Sequence, residues 1–285
     1  MKIISSHTEM KNLSLTYQRS GRTVGLVPTM GALHEGHLSL VRKAAQQVDI
    51  TVVSIFVNPI QFGPREDLEK YPRSLERDCE LARNAGCDFV FAPAVQDMYP
   101  PDFSTFVEVE NITETLCGAN RPGHFRGVAT VVLKLFNIVC PQVAVFGQKD
   151  AQQVVVIRRM IHDLNLSVRI EVGPVIREPD GLAMSSRNRY LSSRERGEAG
   201  RIYEGLRCAR KLYDGGERSA SVVREKVLSS YSGARSFVPE YIEVVDTDLL
   251  KPLATLDKTA LVAVACRTKE TNTRLIDNIT LGGDL

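Results

Sequence analysis

Thr23-Val24-Gly25-Leu26-Val27-Pro28 runs straight into Thr29-Met30-Gly31-Ala32-Leu33-His34-Glu35-Gly36-His37. Beyond it, Leu38, Leu40, Val41, Ala44, Ala45 and Val48 recur near a helical period. A short apolar run closed by proline reads as a strand. Strand, glycine-bearing loop and helix in direct succession open a βαβ unit. The pattern then repeats. Ile50 to Val57 is a largely β-branched apolar run, as in a strand covered on both faces. Ser74 to Ala85 reads as a helix stopped by Gly86, and Asp88 to Ala92 as a third strand. Val143 to Phe146 makes a fourth strand, Ala151 to Leu164 a helix and Leu166 to Val172 a fifth strand. Strands alternating with helices imply a parallel sheet, and such sheets bind ligands beyond the carboxyl ends of their strands.

The pattern changes near Asp180-Gly181. A long amphipathic helix is expected over Ser193 to Tyr213, then Gly215-Gly216 and a second helix over Ala220 to Leu228. Strand-like runs follow at Tyr241 to Val245, Leu261 to Cys266 and Thr273 to Ile279. The expected fold class is α/β: a Rossmann-like parallel-sheet nucleotide-binding domain over residues 1–178, with a smaller C-terminal α+β lid domain over 179–285. The length of 285 residues suits one large or two smaller domains at about 150 residues each.

Composition narrows the function classes. Hydrophobic residues are 43% and charged residues 25% of the chain, enough apolar material for a core without disulfide or metal staples. A formal charge of +2 gives no electrostatic reason to expect a nucleic-acid or membrane partner. Met1 to His7 lacks the apolar stretch of a signal peptide, and Val128 to Cys140 is broken by Thr130, Lys134 and Asn137 and is too short to span a bilayer. A cytoplasmic protein is expected. Its six cysteines are scattered and form no C-x-x-C pair, which argues against a zinc knot or redox dithiol.

Five segments carry candidate chemistry. In Pro28 to His37, Gly31 and Gly36 allow close backbone approach to a ligand. A helix starting near His37 would turn free N–H groups and a positive dipole end toward an anion. His34 and His37 can both donate to phosphate oxygens whose charge grows during attack. Phe56 to Pro64 is stiffened by Pro59 and Pro64 and offers Asn58 and Gln61 to a hydroxyl or carboxylate. Arg121-Pro122-Gly123-His124-Phe125-Arg126-Gly127 serves either to bind an anion or to brace an interface, and the residues alone leave both open. In Phe146 to Gln153, Lys149 follows a strand end and suits phosphate, and Asp150 suits the N-cap of the next helix. Asp180 to Asn188 combines small hydroxyl residues with Arg187, a composition suited to polyphosphate and equally to a plain linker.

Taken in order, these segments resemble the pantoate–β-alanine ligase family. Pro28 to His37 is similar to that family's "HIGH" motif, and Met184-Ser185-Ser186-Arg187-Asn188 to its counterpart of the "KMSKS" loop. Ala183 and Arg187 stand where the two lysines of that loop would be, which favours this ligase over a tRNA synthetase. Phe56 to Gly63, Arg121 to Gly127, Gly147 to Gln153 and, more loosely, Val238 to Asp246 also match.

The resemblance implies ATP-dependent condensation of pantoate with β-alanine, through a pantoyl adenylate, to pantothenate, AMP and diphosphate. It implies His37, His34, Lys149 and Arg187 as catalytic residues. It places Met30, Gly31, Ala32, Leu33, His34, Glu35, Gly36, His37, Gly147, Gln148, Lys149, Asp150, Ile176 (through backbone), Met184, Ser185, Ser186 and Arg187 on ATP. Gln61 and Gln153 would hold pantoate, and Gln61 would also meet β-alanine. Mg²⁺ would arrive with ATP, with Asp78 as an outer ligand, and the family suggests a homodimer. Two other readings fit the fold: a nucleotidyltransferase that stops at an adenylated product, and a non-catalytic nucleotide sensor.

Overall fold

The parallel sheet expected from the alternating pattern has six strands in the computed structural model, which describes residues 1–64, 66–231 and 233–285. The strands are β1 (Lys2–Ile4), β2 (Val24–Thr29), β3 (Ile50–Ile55), β4 (Phe89–Phe91), β5 (Val143–Gly147) and β6 (Arg169–Gly173), in the order β1-β4-β3-β2-β5-β6. Every pairing is parallel, with Leu26 opposite Val52 and Ala144 opposite Ile170. From β2 the chain builds outward to β3 and β4, then returns to lay β5 on the other flank of β2. The order reverses there, so the carboxyl ends of β2 and β5 border the crevice where such sheets take ligands.

The helices of this part are α1 (His7–Arg19), α2 (Glu35–Ala45), α3 (Leu75–Asn84), the short α4 (Val95–Met98) and α5 (Leu116–Asn120), α6 (His124–Val139) and α7 (Ala151–Asp163). Leu40, Val41 and Ala44 of α2 and Cys79 and Ala82 of α3 share one core with Val27, Val53, Val90 and Val145 of the sheet. The helices α1 and α6 pack together and contact β2. Covered strands explain the nearly unbroken apolar runs of β2 and β3. Full burial of one such side chain stabilises by roughly 1.5–3 kcal/mol, so the site above is carried on a rigid base.

The chain divides into two units that interleave in sequence. The first holds Met1–Glu114, Gly118–Gly147 and Val156–Gly173, and the second holds Thr115–Cys117, Gln148–Val155 and Pro174–Leu285. In the second unit, α8 (Ser193–Glu198), α9 (Arg201–Asp214) and α10 (Ala220–Ser230) accompany an antiparallel sheet β7 (Phe237–Asp246), β8 (Ala260–Thr268), β9 (Arg274–Leu281) in that order. Its own core includes Ile202, Leu206, Val223, Val227, Val262 and Val264.

The fold departs from the sequence expectations at α8–α9 and at the N-terminus. The single helix over Ser193 to Tyr213 is interrupted at Ala199-Gly200. A Cβ at Gly200 would stand 2.8 Å from the Asp180 carbonyl oxygen, so glycine admits a close approach there and weakens the helix. The elements β1 and α1 precede the first strand that the apolar pattern marks. Their signal is Ser6, whose side chain accepts from the Glu9 N–H as an N-cap.

Candidate active site

In the first unit, α2 begins at Glu35 with His34 as its N-cap residue, two residues earlier than expected. The N–H groups of Glu35 and Gly36, in the first turn, therefore belong to the set that a helix start leaves outside its ladder. The loop before them is held from below. Thr29 Oγ1 donates to the Ser54 carbonyl at 2.7 Å and accepts from Gly31 N–H at 3.2 Å. The Asp78 carboxylate, 2% exposed, accepts from Ala32 N–H and Leu33 N–H, both at 2.8 Å. Gly31 has φ +80°, and a Cβ there would meet Asp78 Oδ2 at 2.8 Å, so the turn requires glycine. Leu33 packs into the sheet core and Met30 sits at the loop's entrance. Glu35 pairs with Arg42 on the same helix.

This arrangement gives Asp78 a supporting use within the chain. Each of its oxygens accepts one N–H from the loop it supports, and the group is buried beneath that loop. Among the described residues no group of three His, Cys, Asp or Glu side chains is arranged to hold a metal. Asp78→Asn exchanges one acceptor for a donor facing a buried N–H. It is expected to cost about 1–3 kcal/mol of stability, read as a lower urea midpoint. The Mg²⁺ concentration giving half-maximal rate should not move, and a large shift in that titration would restore the ligand role.

The rings of His34 and His37 lie with centroids 4.0 Å apart, tilted by 32°. His34 N–H donates to His37 Nδ1 at 3.4 Å. That contact favours the His37 tautomer protonated on Nε2, the nitrogen that would donate to an oxyanion.

Gln61 ends the single turn Pro59–Gln61 after β3 and is oriented from two sides. Its Oε1 accepts from Asn58 Nδ2 at 2.9 Å, and its Nε2 faces Met30 Sδ at 3.2 Å. Sulfur is a weak acceptor, so the Gln61 amide is poised to donate to a better one, such as a carboxylate or hydroxyl oxygen. Asn58, 1% exposed, also donates to the Gly127 carbonyl at 3.1 Å and accepts from Tyr99 OH at 2.8 Å. Gly127 is required by proximity, since a Cβ would stand 2.6 Å from Ile60 O and 2.7 Å from Gln61 Cα.

The structure gives Arg121 and His124 a use inside the chain that neither anion binding nor an interface describes. Arg121 forms a bidentate pair with Glu66 at 2.7 and 2.6 Å and donates to His124 Nε2 at 3.0 Å. His124 Nδ1 then carries the proton and donates to the Gln61 carbonyl at 2.9 Å. Burial raises the Glu66 carboxyl, but hydrogen bonding and charge from Arg121 outweigh it and hold it below its ordinary value. These residues brace the Gln61 backbone. Arg126 instead stacks over the Phe106 ring at 3.8 Å. A cavity of about 200 Å³ adjoins, walled by Gln61, Phe62, Phe106, His124, Arg126 and Gly127. It is smaller than the pockets of drug-sized ligands.

In the second unit, Gln148–Asp150 form one tight turn leading into α7. Gly147, just before it, is the last residue of β5, and Gln153 lies on the first turn of α7. Lys149 Nζ sits 3.9 Å from Asp150 Oδ1, a loose pairing that leaves the ammonium available. The Ile176 carbonyl accepts from Met184 N–H at 2.9 Å, which ties the chain before the turn to the segment beyond it. Ser185 caps the turn Ser186–Tyr190 by accepting from Arg187 N–H at 3.3 Å, and Asn188 Nδ2 donates to the Ala183 carbonyl at 3.1 Å.

Sequence reading missed Tyr99, Asp277, Asn278 and Arg177. Arg177 donates to Asp277 at 2.6 and 3.0 Å and lies 3.7 Å over the Tyr203 ring. Burial raises the Asp277 carboxyl, against the pull of Arg177 and the charge of Lys149. A polar pair inside the apolar run Leu275 to Leu281 is the signal that could have found them.

A family model described as pantoate-beta-alanine ligase matches residues 2–280. Pantothenate synthetase of Thermotoga petrophila is 53% identical over 282 residues, covering 99% of this chain and 100% of that protein. The Geobacter sulfurreducens protein of the same name is 52% identical over 99% of both chains. The crystal structure of pantothenate synthetase from Thermus thermophilus superposes with a TM-score of 0.91 at 42% identity, covering 98% of this chain and 99% of that one. Pantoate-beta-alanine ligase from Francisella tularensis, solved with a β,γ-ATP compound and β-alanine, gives a TM-score of 0.79 at 34% identity over 98% and 97% of the two chains. No helix among the described residues is long and apolar enough to cross a membrane.

Proposed function

The chain belongs to the pantoate–β-alanine ligase family, and we propose that it joins its substrates in two steps, with His34 and His37 serving the first. The overall reaction is ATP-dependent ligation of pantoate and β-alanine to pantothenate, AMP and diphosphate. In the first step a pantoate carboxylate oxygen bonds to the α-phosphorus and the bond to the β-phosphate oxygen breaks. In the second the β-alanine amine bonds to the acyl carbon, AMP leaves with the bridging oxygen, and the amine releases a proton.

The chemical need behind this order is simple. A free carboxylate is a poor acylating agent until one oxygen becomes a good leaving group. Two anions must also be brought together, so positioning and charge stabilisation dominate. The observation that carries the assignment is the imidazole pair, 4.0 Å apart, at the N-terminus of α2 beside the reversal of strand order. The helix end and the Nε2–H of His37 favour the charge that accumulates on phosphate oxygens during attack. Gln61, with its amide nitrogen turned to weakly accepting sulfur, is assigned to pantoate and β-alanine, and Gln153 to pantoate. Met30 to His37, Gly147 to Asp150, Ile176 and Met184 to Arg187 are assigned to ATP, with Lys149 and Arg187 on its phosphates.

Mg²⁺ is proposed to arrive with ATP, held by phosphate oxygens and water, the usual habit of this ion. It would neutralise phosphate charge. Asp78 is proposed as the support of the Ala32-Leu33 loop rather than as a ligand of the ion, and no step above is routed through the metal. The reading extends to residues 179–285 as a lid domain, to a homodimer and to a cytoplasmic location.

Mass-spectrometric product analysis with ATP, pantoate and β-alanine, each omitted in turn, tests the function. Pantothenate with AMP is expected only from the complete mixture. ADP with orthophosphate would point to an acyl-phosphate route and end the adenylate assignment.

A further inference from the structure

Strand β9 ties together the two segments of the second unit that are assigned to the phosphates. Successive side chains on a strand face opposite ways, yet Asp277 and Asn278 are both 3% exposed, so each is buried on its own side. Asn278 Nδ2 donates to the carbonyls of Gln148 (2.9 Å) and Lys149 (3.1 Å), and Gln148 Nε2 donates back to Asn278 Oδ1 at 3.3 Å. On the other side, Asp277 holds the Arg177 guanidinium, whose Nη1 donates on to the Gly181 carbonyl at 3.0 Å. The Asn278 N–H, bonded to Asp277 Oδ1 at 2.7 Å, links the two halves.

Buried polar groups of this kind do not add stability over a well-packed apolar pair, so their presence asks for another reason. The Lys149 side chain is a flexible four-carbon stem with a point charge. It is loosely paired, so the place of its ammonium depends on where the backbone starts it. One carboxamide gripping two successive carbonyls fixes that origin.

We propose that Asn278 is a positioning residue for the reaction: by clamping the Gln148–Lys149 backbone it sets where Lys149 meets ATP, while Asp277, through Arg177, steadies the turn that leads to Met184–Arg187. The inference rests on the assignment of Lys149 to phosphate. Displacement of a catalytic group by about 1 Å can cost about 100-fold in rate, which sets the scale of the effect.

The test uses the full-length enzyme with Asn278→Ala and with Asn278→Leu, which keeps a similar size without adding charge but loses both donors. Two half-reactions are followed: pantoate-dependent exchange of labelled diphosphate into ATP, and aminolysis of supplied pantoyl adenylate by β-alanine. In both variants kcat/KM for ATP in exchange should fall by about 10–100-fold, with aminolysis close to wild type when both are measured well below the variants' thermal midpoints. A proportional fall of both half-reactions, or a lowered midpoint alone, would mean a merely structural role and overturn the proposal. Lys149→Ala separates this from the underlying reading. If Lys149→Ala impairs exchange and Asn278→Ala adds little on top of it, Asn278 acts through Lys149. If the two losses multiply, the positioning role fails while the phosphate assignment stands. If Lys149→Ala leaves exchange intact, the phosphate assignment itself fails and takes the proposal with it.

Discussion

His37→Ala should lower the single-turnover rate of adenylate formation by about 10²–10³, the usual loss of about 3–4 kcal/mol when one preorganised donor to a developing oxyanion is removed. Binding of ATP should weaken far less. The asymmetry follows from where the ring sits. It stands on the first turn of α2, beside His34 at 4.0 Å between centroids, with Nδ1 turned to the His34 N–H. Its Nε2–H is therefore fixed in direction before substrate arrives. A donor fixed in advance is most effective where charge increases, and the ground-state triphosphate has less charge to stabilise at the attacked phosphorus than the transition state does. Rapid-quench measurement with enzyme in excess over ATP gives the rate, and a nucleotide titration gives the affinity. A rate near wild type with weakened binding would remove His37 from the chemistry and leave it a ground-state contact.

The legibility of this fold tracks the range over which each signal acts. The succession β2, loop, α2 is local, and its apolar period and glycines suffice to place it. The helix starts two residues before the expected position because its cap is His34, not one of the usual Ser, Thr, Asp or Asn caps. The break at Gly200 depends on the Asp180 carbonyl, a contact that no helical period contains. Asp78 illustrates the same limit in the site. Its sequence neighbours present it as a helix acid, and only the fold reveals that it supports Ala32 and Leu33 from another element. Arg121 and His124 suggest anion binding or an interface from sequence, and their bracing of the Gln61 carbonyl shows only in the fold. Asp277 and Asn278 escape a reading of the strand's apolar alternation because they are its polar exceptions, and their partners lie far away in sequence.

Labelled diphosphate should exchange into ATP when pantoate is present and β-alanine is absent. If the adenylate forms first, its reversal returns label to ATP with no need of the amine. A single concerted step with all three substrates would show no exchange until β-alanine was added, and that result would falsify the two-step order. Arg187→Ala sharpens the comparison. Arg187 sits on the turn capped by Ser185, and its guanidinium is assigned to the departing phosphates. Exchange in this variant should fall by about 10²–10³, the scale of losing one charged stabiliser of the transition state. Aminolysis of supplied pantoyl adenylate should fall much less, because the diphosphate is absent from that half-reaction and the interaction removed belongs to the other barrier. Equal losses in both half-reactions would instead locate the damage in the turn itself, through the contacts of Ser185 and Asn188 that shape it. The unequal outcome assigns the residue to the step in which the phosphate bond breaks.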